Sequence, residues 1–392
     1  MRQIKTVKAN QDRVPKVFSE DISLESHQKA ANYTEAKMKL SNVSALVDAA
    51  LLIALTFGGI LNWFHDLSST TTSGTILSGL IFFGLIGLFI SLAQLPIDLY
   101  KTFVLEEKFG FNKMSLSLFF KDLMIGLAVS AIIGSIFIAG LLWVMETAGI
   151  NWWWYAWLLA MTFWFFIQYI SPTVLAPMFN KFSPLNNEKL KERIEGLLKK
   201  CGFQSSGLFV MDGSRRSSHG NAYFTGFGKS KRIVFFDTLI NKHSPEEIEA
   251  VLAHELGHFK LKHVFKLTCF LVLVSLVFFA LLGTLQQSAF IHEALNLHAF
   301  GSPSLLLAAF YFGLPPFLFL FRPLFAAYLR KNEFEADAYA AQQAPAQELI
   351  KALIKLYKDN SSTLTPDKLY SAFYDSHPPA SARISRLEAS IN

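Results

Sequence analysis

Long apolar stretches alternate with polar segments along this chain. A helix needs about 20 apolar residues to cross the hydrocarbon layer of a membrane. Six stretches come close to that length, at 45–64, 75–97, 123–145, 153–178, 264–284 and 304–321. The second has no charged residue from Thr75 to Pro96, and the third has none from Ile125 to Met145. The pattern therefore predicts a polytopic helical membrane protein.

Two of these stretches carry residues that interrupt a straight helix. The fourth contains Gln168 and closes with Pro172 and Pro177, so a bent or cavity-lining helix is expected there. The sixth contains Pro315 and Pro316, which predict a kink.

Composition agrees with a membrane location. Of 392 residues, 52% are hydrophobic and only 17% are charged, below the roughly 25% charge of an ordinary soluble domain. A single soluble core stops growing near ~250–300 residues, so a membrane location explains this composition better than one large soluble core. Disorder, collagen and coiled coil are excluded by the same composition. Two cysteines, Cys201 and Cys269, support neither a disulfide framework nor a thiolate metal cluster.

The position of the basic residues predicts the orientation. Eight Lys and Arg residues precede the first stretch, whereas 65–73, 146–151 and 286–302 contain none. The intervening segments are basic, and an excess of Lys and Arg marks cytoplasmic loops. Both termini and the 180–263 segment are thus expected on the cytoplasmic side. Topology explains the net charge of +6, so nucleic acid is not an expected partner.

The polar segment between the fourth and fifth stretches has the pattern of a small α+β unit. Glu188–Lys200 reads as a helix, 207–211 and 232–237 as short strands, and 215–228 as a glycine-rich connection or edge strand. The apolar face of that helix comprises Leu190, Ile194, Leu197 and Leu198. A second helix begins at Ser244, with Pro245 in its first turn and Glu247 completing a capping box.

This second helix carries a candidate metal motif, Ala253-His254-Glu255-Leu256-Gly257-His258. Histidines four residues apart share a helix face, so both rings can reach one Zn²⁺ at ~2.0–2.1 Å. Glu255 would face the water that the metal activates and act as general base. The alternative interpretation is a helix with surface histidines, and it becomes less favoured if the sequence contains a third ligand.

A third ligand is expected downstream, in a helix at 329–343. Glu333 and Asp337 share a face there, while Glu335 points roughly 200° away. We expect Glu333 to complete a His₂Glu zinc site and Asp337 to accept the free ring N–H of a ligating histidine, His254. Glu335 is the weaker ligand candidate, expected as a solvated carboxylate. An exposed helix face is the alternative for all three acids.

Several long strings resemble one family, the type I CAAX prenyl proteases, or a-factor-converting enzymes, which are integral-membrane zinc metallopeptidases. The strings occur in order along nearly the whole chain after Val14. They are FVLEEKFGFNKMSLSLFFKD (103–122), SSHGNAYFTGFGKSKRIVFFDTLI (217–240), HSPEEIEAVLAHELGHFKLKH (243–263), FEADAYA (334–340) and SHPPASARISRLE (376–388).

The resemblance implies a fold and further site residues. It implies an α-helical polytopic membrane protein whose helical barrel encloses a chamber, with an inserted small α+β zincin-like domain. Asn221 and Ala222 are implied to bind an extended substrate as an edge strand. His377 and Arg383 are implied to lie near one Zn²⁺ and to stabilise the oxyanion or hold the substrate.

The pattern and the resemblance together predict four regions. These are four spans in 1–179, the metallopeptidase domain in 180–263, two spans in 264–328, and in 329–392 the rest of that domain with the third ligand. The family usually has seven spans, so one fewer is expected here. Either the start of this sequence is truncated and lacks the first span, or the protein does not have that span.

The expected function is a membrane zinc endopeptidase acting on a peptide or protein substrate. The resemblance implies removal of the C-terminal tripeptide of prenylated proteins. The alternatives are membrane-protein quality control and, in another class, a non-proteolytic zinc-stabilised scaffold, which would have no use for Glu255 as a base. A transporter is disfavoured because the sequence shows no paired intramembrane charges or repeated halves. The oligomeric state stays open.

Overall fold

The structure, a computed structural model, describes residues 1–226, 232–286, 288, 293–299 and 301–391 and is mostly helical. The α-helices within these residues are α1 Arg2–Ala9, α2 Leu24–Leu55, α3 Ile60–Thr71, α4 Thr75–Tyr100, α5 Leu116–Thr147, α6 Trp152–Ile170, α7 Ala176–Phe179, α8 Glu188–Lys200, α9 Asp237–Ile240, α10 Pro245–Lys260, α11 His263–Leu285, α12 Pro303–Gly313, α13 Pro315–Phe319, α14 Arg322–Gln343, α15 Ala346–Asp359, α16 Lys368–Tyr374 and α17 Ala380–Ile391. The strands are β1 Phe182–Pro184, β2 Leu208–Met211, β3 Ala222–Thr225 and β4 Arg232–Phe236.

Among the residues that the structure describes, five helical segments are long and apolar enough to cross a membrane. They are Leu24–Leu55, Thr75–Glu106, Leu116–Thr147, Gly149–Phe179 and His263–Leu285. A sixth candidate is a bent pair, Pro303–Phe319 with Arg322–Gln343. The count agrees with the six predicted stretches. The fourth stretch, predicted to be bent or to line a cavity, contains a π-helical turn at Ser171–Leu175 between α6 and α7.

The first predicted span, 45–64, was wrong in its bounds. Helix α2 ends at Leu55, and α3 is a separate helix that begins at Ile60. Two glycines lie in the break. A Cβ at Gly58 would lie 2.5 Å from the carbonyl oxygen of Ala54, and Gly59 has φ +76°. Glycine tolerates both the close approach at position 58 and the left-handed backbone at position 59. The chain therefore turns here, although the hydropathy pattern shows no break.

The sixth stretch bends, but the measured bend lies beyond the predicted prolines. Helix α12 ends at Gly313 and α13 starts at Pro315, yet the 66° bend lies between Phe319 and Arg322. Proline lacks the N–H that a helix interior needs and is best accommodated in the first turn. Pro323 occupies such a position in α14, so the chain re-starts a helix in a new direction.

The α+β unit contains a small mixed sheet in the order β1-β2-β4-β3. Strands β2 and β4 are parallel, whereas β1 and β3 pair with them in antiparallel fashion. Strand β3 is an edge strand, paired with β4 through Ala222–Phe235 to Thr225–Arg232. The predicted connection 215–228 is thus a strand in part, and its last two residues lie outside the described ones.

The core of this unit forms from the apolar faces of its helices. The predicted face of α8 is confirmed, because Leu190, Ile194, Leu197 and Leu198 are all buried. They pack with buried side chains of α10, α15 and α17. The capping box is also confirmed: the Glu247 N–H donates to Ser244 Oγ at 3.2 Å, and the Ser244 N–H donates to Glu247 Oε2 at 2.9 Å.

Candidate active site

Two helices, α10 and α14, bring the candidate ligands together. Gly257 of α10 lies against α14 so closely that a Cβ there would be 3.0 Å from Ala336 Cα and 3.1 Å from the Ala336 carbonyl oxygen. A larger residue would push the helices apart. Gly257 lies between His254 and His258 in sequence, and Ala336 follows Glu333, so this approach sets the separation of their side chains.

His254, His258 and Glu333 form a compact cluster with one ligand atom from each side chain. The three atoms lie within 4.8 Å of one another. Nε2 of His254 and Nε2 of His258 are 3.3 Å apart. Glu333 Oε2 lies 3.5 Å from His254 Nε2, and Glu333 Oε1 lies 3.4 Å from His258 Nε2. Two imidazoles and one carboxylate are a donor set typical of catalytic zinc sites.

The electrostatics of the cluster suit a cation. Burial disfavours charge on the His254 ring, but the hydrogen bond to Asp337 and the nearby carboxylate of Glu333 outweigh burial and raise the pKa of His254 to about 8. Glu333 Oε2 is buried and has no hydrogen-bond partner within the described part of the chain, although Arg383 Nη1 is 3.4 Å away. An orphaned carboxylate oxygen beside two converging ring nitrogens fits a bound metal.

Asp337 and Arg383 lie behind His254. The His254 Nδ1–H donates to Asp337 Oδ1 at 2.8 Å, which leaves Nε2 free to face the cluster. Arg383 donates to both oxygens of Asp337, from Nε at 2.8 Å and from Nη2 at 2.6 Å. Its side chain is only 8% exposed. Arg383 therefore orients the carboxylates and is shielded from solvent.

His263 is a site residue that the sequence analysis did not assign. It is 3% exposed, and its Nε2–H donates to Glu335 Oε2 at 3.0 Å. Its Nδ1 then accepts from His258 Nδ1–H at 3.1 Å, leaving His258 Nε2 free for the cluster. Glu335 is thus paired with His263 instead of lying free in solvent. The sequence signal that could have identified this residue is the presence of a third histidine shortly after the metal motif.

Glu255 and His377 are more exposed than the ligand candidates His254 and Glu333. Glu255 is half-buried, and among the described residues its carboxylate has no ion-pair or hydrogen-bond partner. His377 is 63% exposed at its side chain and reaches Glu333 Oε1 with Nε2 at 3.4 Å. Its other ring nitrogen lies 2.9 Å from Ser376 Oγ. Both side chains are accessible to a substrate, unlike Arg383.

Asn221 and Ala222 lie at the start of the edge strand. The Asn221 carbonyl accepts from Phe236 N–H at 2.9 Å, and its side-chain oxygen accepts from Ala222 N–H at 2.9 Å. Strand β3 contacts the motif helix directly, since the rings of Phe224 and Phe259 are 4.9 Å apart. An extended peptide added along β3 would therefore run beside the helix that carries the two histidines.

Comparison with known families agrees with this geometry. Residues 184–391 match the model of peptidase family M48, and residues 3–181 match a model described as the CAAX prenyl protease N-terminal region with five membrane helices. The chain belongs to peptidase family M48. It is accordingly a multi-pass membrane metallopeptidase, a hydrolase that uses a metal ion to cleave peptide or protein substrates.

Individual relatives of this M48 peptidase align over nearly its full length. CAAX prenyl protease 1 of Saccharomyces cerevisiae is 34% identical, covering 97% of this chain and 90% of the relative. The Arabidopsis thaliana homolog is 34% identical over 99% and 93%, and the human homolog 33% over 96% and 88%. The crystal structure of S. mikatae Ste24p superposes with a TM-score of 0.92 at 32% identity, covering 99% of this chain and 94% of that one.

Proposed function

We propose that this M48 peptidase is a zinc endopeptidase whose metal is held by His254, His258 and Glu333. When bound, Zn²⁺ would polarise the scissile carbonyl and lower the pKa of water. The observation that carries the proposal is the convergence of these three side chains beside a half-buried carboxylate, Glu255, that has no partner among the described residues. A purely structural site needs no such carboxylate.

Glu255 is the general base. A carboxylate without a cationic partner can accept a proton from the attacking water and deliver it to the leaving amine nitrogen. The neighbouring acids are committed elsewhere, since Asp337 is bonded to His254 and Arg383, and Glu335 to His263. Glu255 is therefore the acid best suited to move a proton.

His377 and Arg383 have different roles. His377 is exposed on the substrate side, so its Nε2–H can donate to the oxygen that becomes negative as the carbonyl is attacked. Arg383 is buried and bonded to Asp337, so we assign it the positioning of Asp337 and Glu333. Binding of the substrate backbone falls to Asn221, Ala222 and the rest of β3.

The proposed substrates are prenylated proteins, from which the enzyme removes the C-terminal tripeptide of a CAAX sequence. The support comes from full-length relatives that carry the name CAAX prenyl protease 1. Basic segments alternate along the chain with segments that lack Lys and Arg, and this pattern supports the proposal that the α+β unit and both ends of this chain lie on the cytoplasmic side.

The substitution Glu255→Gln tests the catalytic assignment. In purified protein assayed with a quenched fluorescent peptide, kcat should fall by about 10²–10⁴, the contribution of a general base. Bound zinc, measured by mass spectrometry, should stay near one per chain. Unchanged cleavage would remove Glu255 from the mechanism, whereas loss of zinc would make it a structural residue.

A matched pair of peptides tests the substrate class. One ends in a farnesylated CAAX sequence and the other has the same sequence without the lipid. Release of the tripeptide, identified by mass spectrometry, should be faster from the farnesylated peptide. Equal rates would favour a general membrane peptidase.

A further inference from the structure

A cluster of polar and aromatic side chains joins the membrane region to the α+β unit, away from the metal ligands. Buried Tyr33 of α2 donates from its hydroxyl to Glu106 Oε1 at 2.7 Å. Glu106 lies at the end of the π-helical segment that follows α4, and its Oε2 faces His219 Nε2 at 3.5 Å. The His219 ring stacks on Phe111, with centroids 4.3 Å apart and planes 21° apart. We call Tyr33, Glu106, Phe111 and His219 the junction cluster.

The chain around His219 is held by backbone contacts as well. Asn112 and Ser217 form an isolated antiparallel bridge. The Ser218 N–H donates to the Phe111 carbonyl at 3.1 Å, and the Lys113 N–H donates to the Arg216 carbonyl at 3.1 Å. The loop between α4 and α5 therefore pairs with 216–218 over a short length.

Arg216 adds a second anchor to the membrane region. It donates to both oxygens of Asp122 near the start of α5, at 2.8 and 3.0 Å. It also donates to Asn180 Oδ1 at 3.0 Å and to the Phe179 carbonyl at 2.6 Å, both at the end of α7. A bidentate Arg–carboxylate pair is directional, so it fixes both position and orientation.

The anchored segment leads directly into the edge strand. Only Gly220 and Asn221 separate His219 from β3. On its other side, the His219 carbonyl accepts from Thr238 Oγ1 at 2.8 Å, and His219 Nδ1 lies 3.0 Å from Asn360 Oδ1. Because Asn360 Oδ1 also accepts from Gly220 N–H, His219 Nδ1 is the donor of that pair. His219 thus hydrogen-bonds inward to the α+β unit, while its Nε2 faces the Glu106 carboxylate of the membrane region.

We infer that His219 is a positioning residue for substrate binding, and that its contact with Glu106 holds the start of β3 in register with the membrane wall. This inference rests on the proposed role of β3 in binding the peptide. A peptide that lies along β3 while its end is in the membrane region must meet both at a fixed spacing. Loosening the outward contact should weaken peptide binding and leave the metal ligands in place.

Two substitutions separate the outward contact from the inward one. The amide nitrogen of a glutamine lies near the Nε2 position of histidine, and that of an asparagine lies near Nδ1. His219→Gln therefore places an amide nitrogen towards Glu106, whereas His219→Asn keeps the donor towards Asn360. Both lose the stacked ring, so each is the control for the other. His298→Asn, at an exposed histidine far along the chain, controls for the loss of a histidine.

The measurement is the split between KM and kcat for the peptide, together with bound zinc and the melting temperature in detergent. We expect His219→Asn to raise KM about 5-fold or more with kcat within about 2-fold of wild type, and His219→Gln to stay near wild type. Tyr33→Phe, which removes the hydrogen bond to Glu106 Oε1, should raise KM in the same direction. Combined with His219→Asn it should add little, because the two act through one contact.

Three results would overturn the inference. The first is a raised KM in His219→Gln with wild-type behaviour in His219→Asn, which would give the role to the Asn360 contact. The second is loss of kcat or zinc in place of a change in KM. The third is no change in either His219 variant or in Tyr33→Phe. Failure of the proposed function looks different, because wild-type protein would then not cleave, or Glu255→Gln would cleave normally.

Discussion

The membrane helices and the α+β unit use the same apolar residue types against two different solvents. In the five spans, at most 22% of the most apolar window is buried within the protein, and large side chains such as Leu273 and Val277 are over 60% exposed. In the α+β unit, Ile194 and Phe235 are completely buried. Lipid replaces protein contacts around the spans, so hydropathy alone identifies them, whereas the α+β unit depends on matched packing.

Polar groups differ between the two regions in the same way. The α+β unit and α14 bury His254, Glu333, Asp337 and Arg383 together, each at most 7% exposed. Burying such groups is costly unless each is paired. All four side chains therefore need their partners in the folded state. Removal of one leaves another polar group buried without a partner, which lowers the stability of the folded protein. The predictions below test this contrast, from the largest expected effect to the smallest.

The largest effect is expected at the third ligand. Glu333→Ala removes a carboxylate oxygen from the cluster, so zinc affinity should fall by more than the ~10–100-fold that is usual for an outer contact. Competition with a chelator measures the affinity, and Glu335→Ala, which removes a carboxylate that contacts only His263 in this network, should lower it less. If Glu335→Ala lowers zinc occupancy and Glu333→Ala does not, the ligand assignment is wrong.

A pair of leucines compares the two solvents directly. Leu197 in α8 is 2% exposed and Leu273 in α11 is 63% exposed. Leu197→Ala leaves a cavity in a packed core and should destabilise the α+β unit by about 2–5 kcal/mol. Leu273 faces lipid, so Leu273→Ala should change the free energy of unfolding by less than about 0.5 kcal/mol. Denaturant unfolding in detergent checks both, and equal losses would mean that α11 is packed against protein.

His263 should matter to metal binding without being a ligand. His263→Ala removes the acceptor of the His258 Nδ1–H, so the ligand ring loses its orientation. Zinc affinity should fall about 10–100-fold, with zinc still bound at saturation. His243→Ala, at another buried histidine of the same unit, is the control. Wild-type affinity in His263→Ala would show that the contact does not orient His258.

A small effect of pH is expected from Glu247. Burial raises the pKa of its carboxyl, but hydrogen bonds from Lys355 and Ser244 outweigh burial and hold the pKa below its ordinary 4.5. The folded state then takes up this proton less readily than the unfolded state, so the stabilisation is complete above pH 4.5 and is lost as pH falls through the folded value.

The melting temperature measured from about pH 6 down to about pH 3.5 tests this. Glu247→Gln should melt lower than wild type at the upper end, and the two curves should converge at the lower end. Glu188→Gln, at a side chain that is 72% exposed, should follow the wild-type curve. A constant difference between Glu247→Gln and wild type over this range would show that protonation of Glu247 does not cause the loss of stability.

Local pattern predicted most of the elements and part of the site. Spans, the face of α8 and the capping box all follow from residues within a few turns of one another. The spacing of His254 and His258, and of Glu333 and Asp337, follows from the same helical period. The end of α2 was missed because Gly58 and Gly59 break the backbone without changing hydropathy. The 66° bend after Phe319 was displaced from the prediction, since several prolines could have produced it.

The sequence by itself determined that the chain spans a membrane and carries a metallopeptidase motif, because apolar length and helical spacing are local properties. Only the tertiary structure decided which distant groups meet. Arg216 pairs with Asp122 and His219 faces Glu106, partners about a hundred residues apart. His263 and Glu335 are also far apart in the sequence, and their hydrogen bond holds the His263 ring that accepts from His258. No local period encodes such pairs; they arise when helices pack and buried polar groups must find partners.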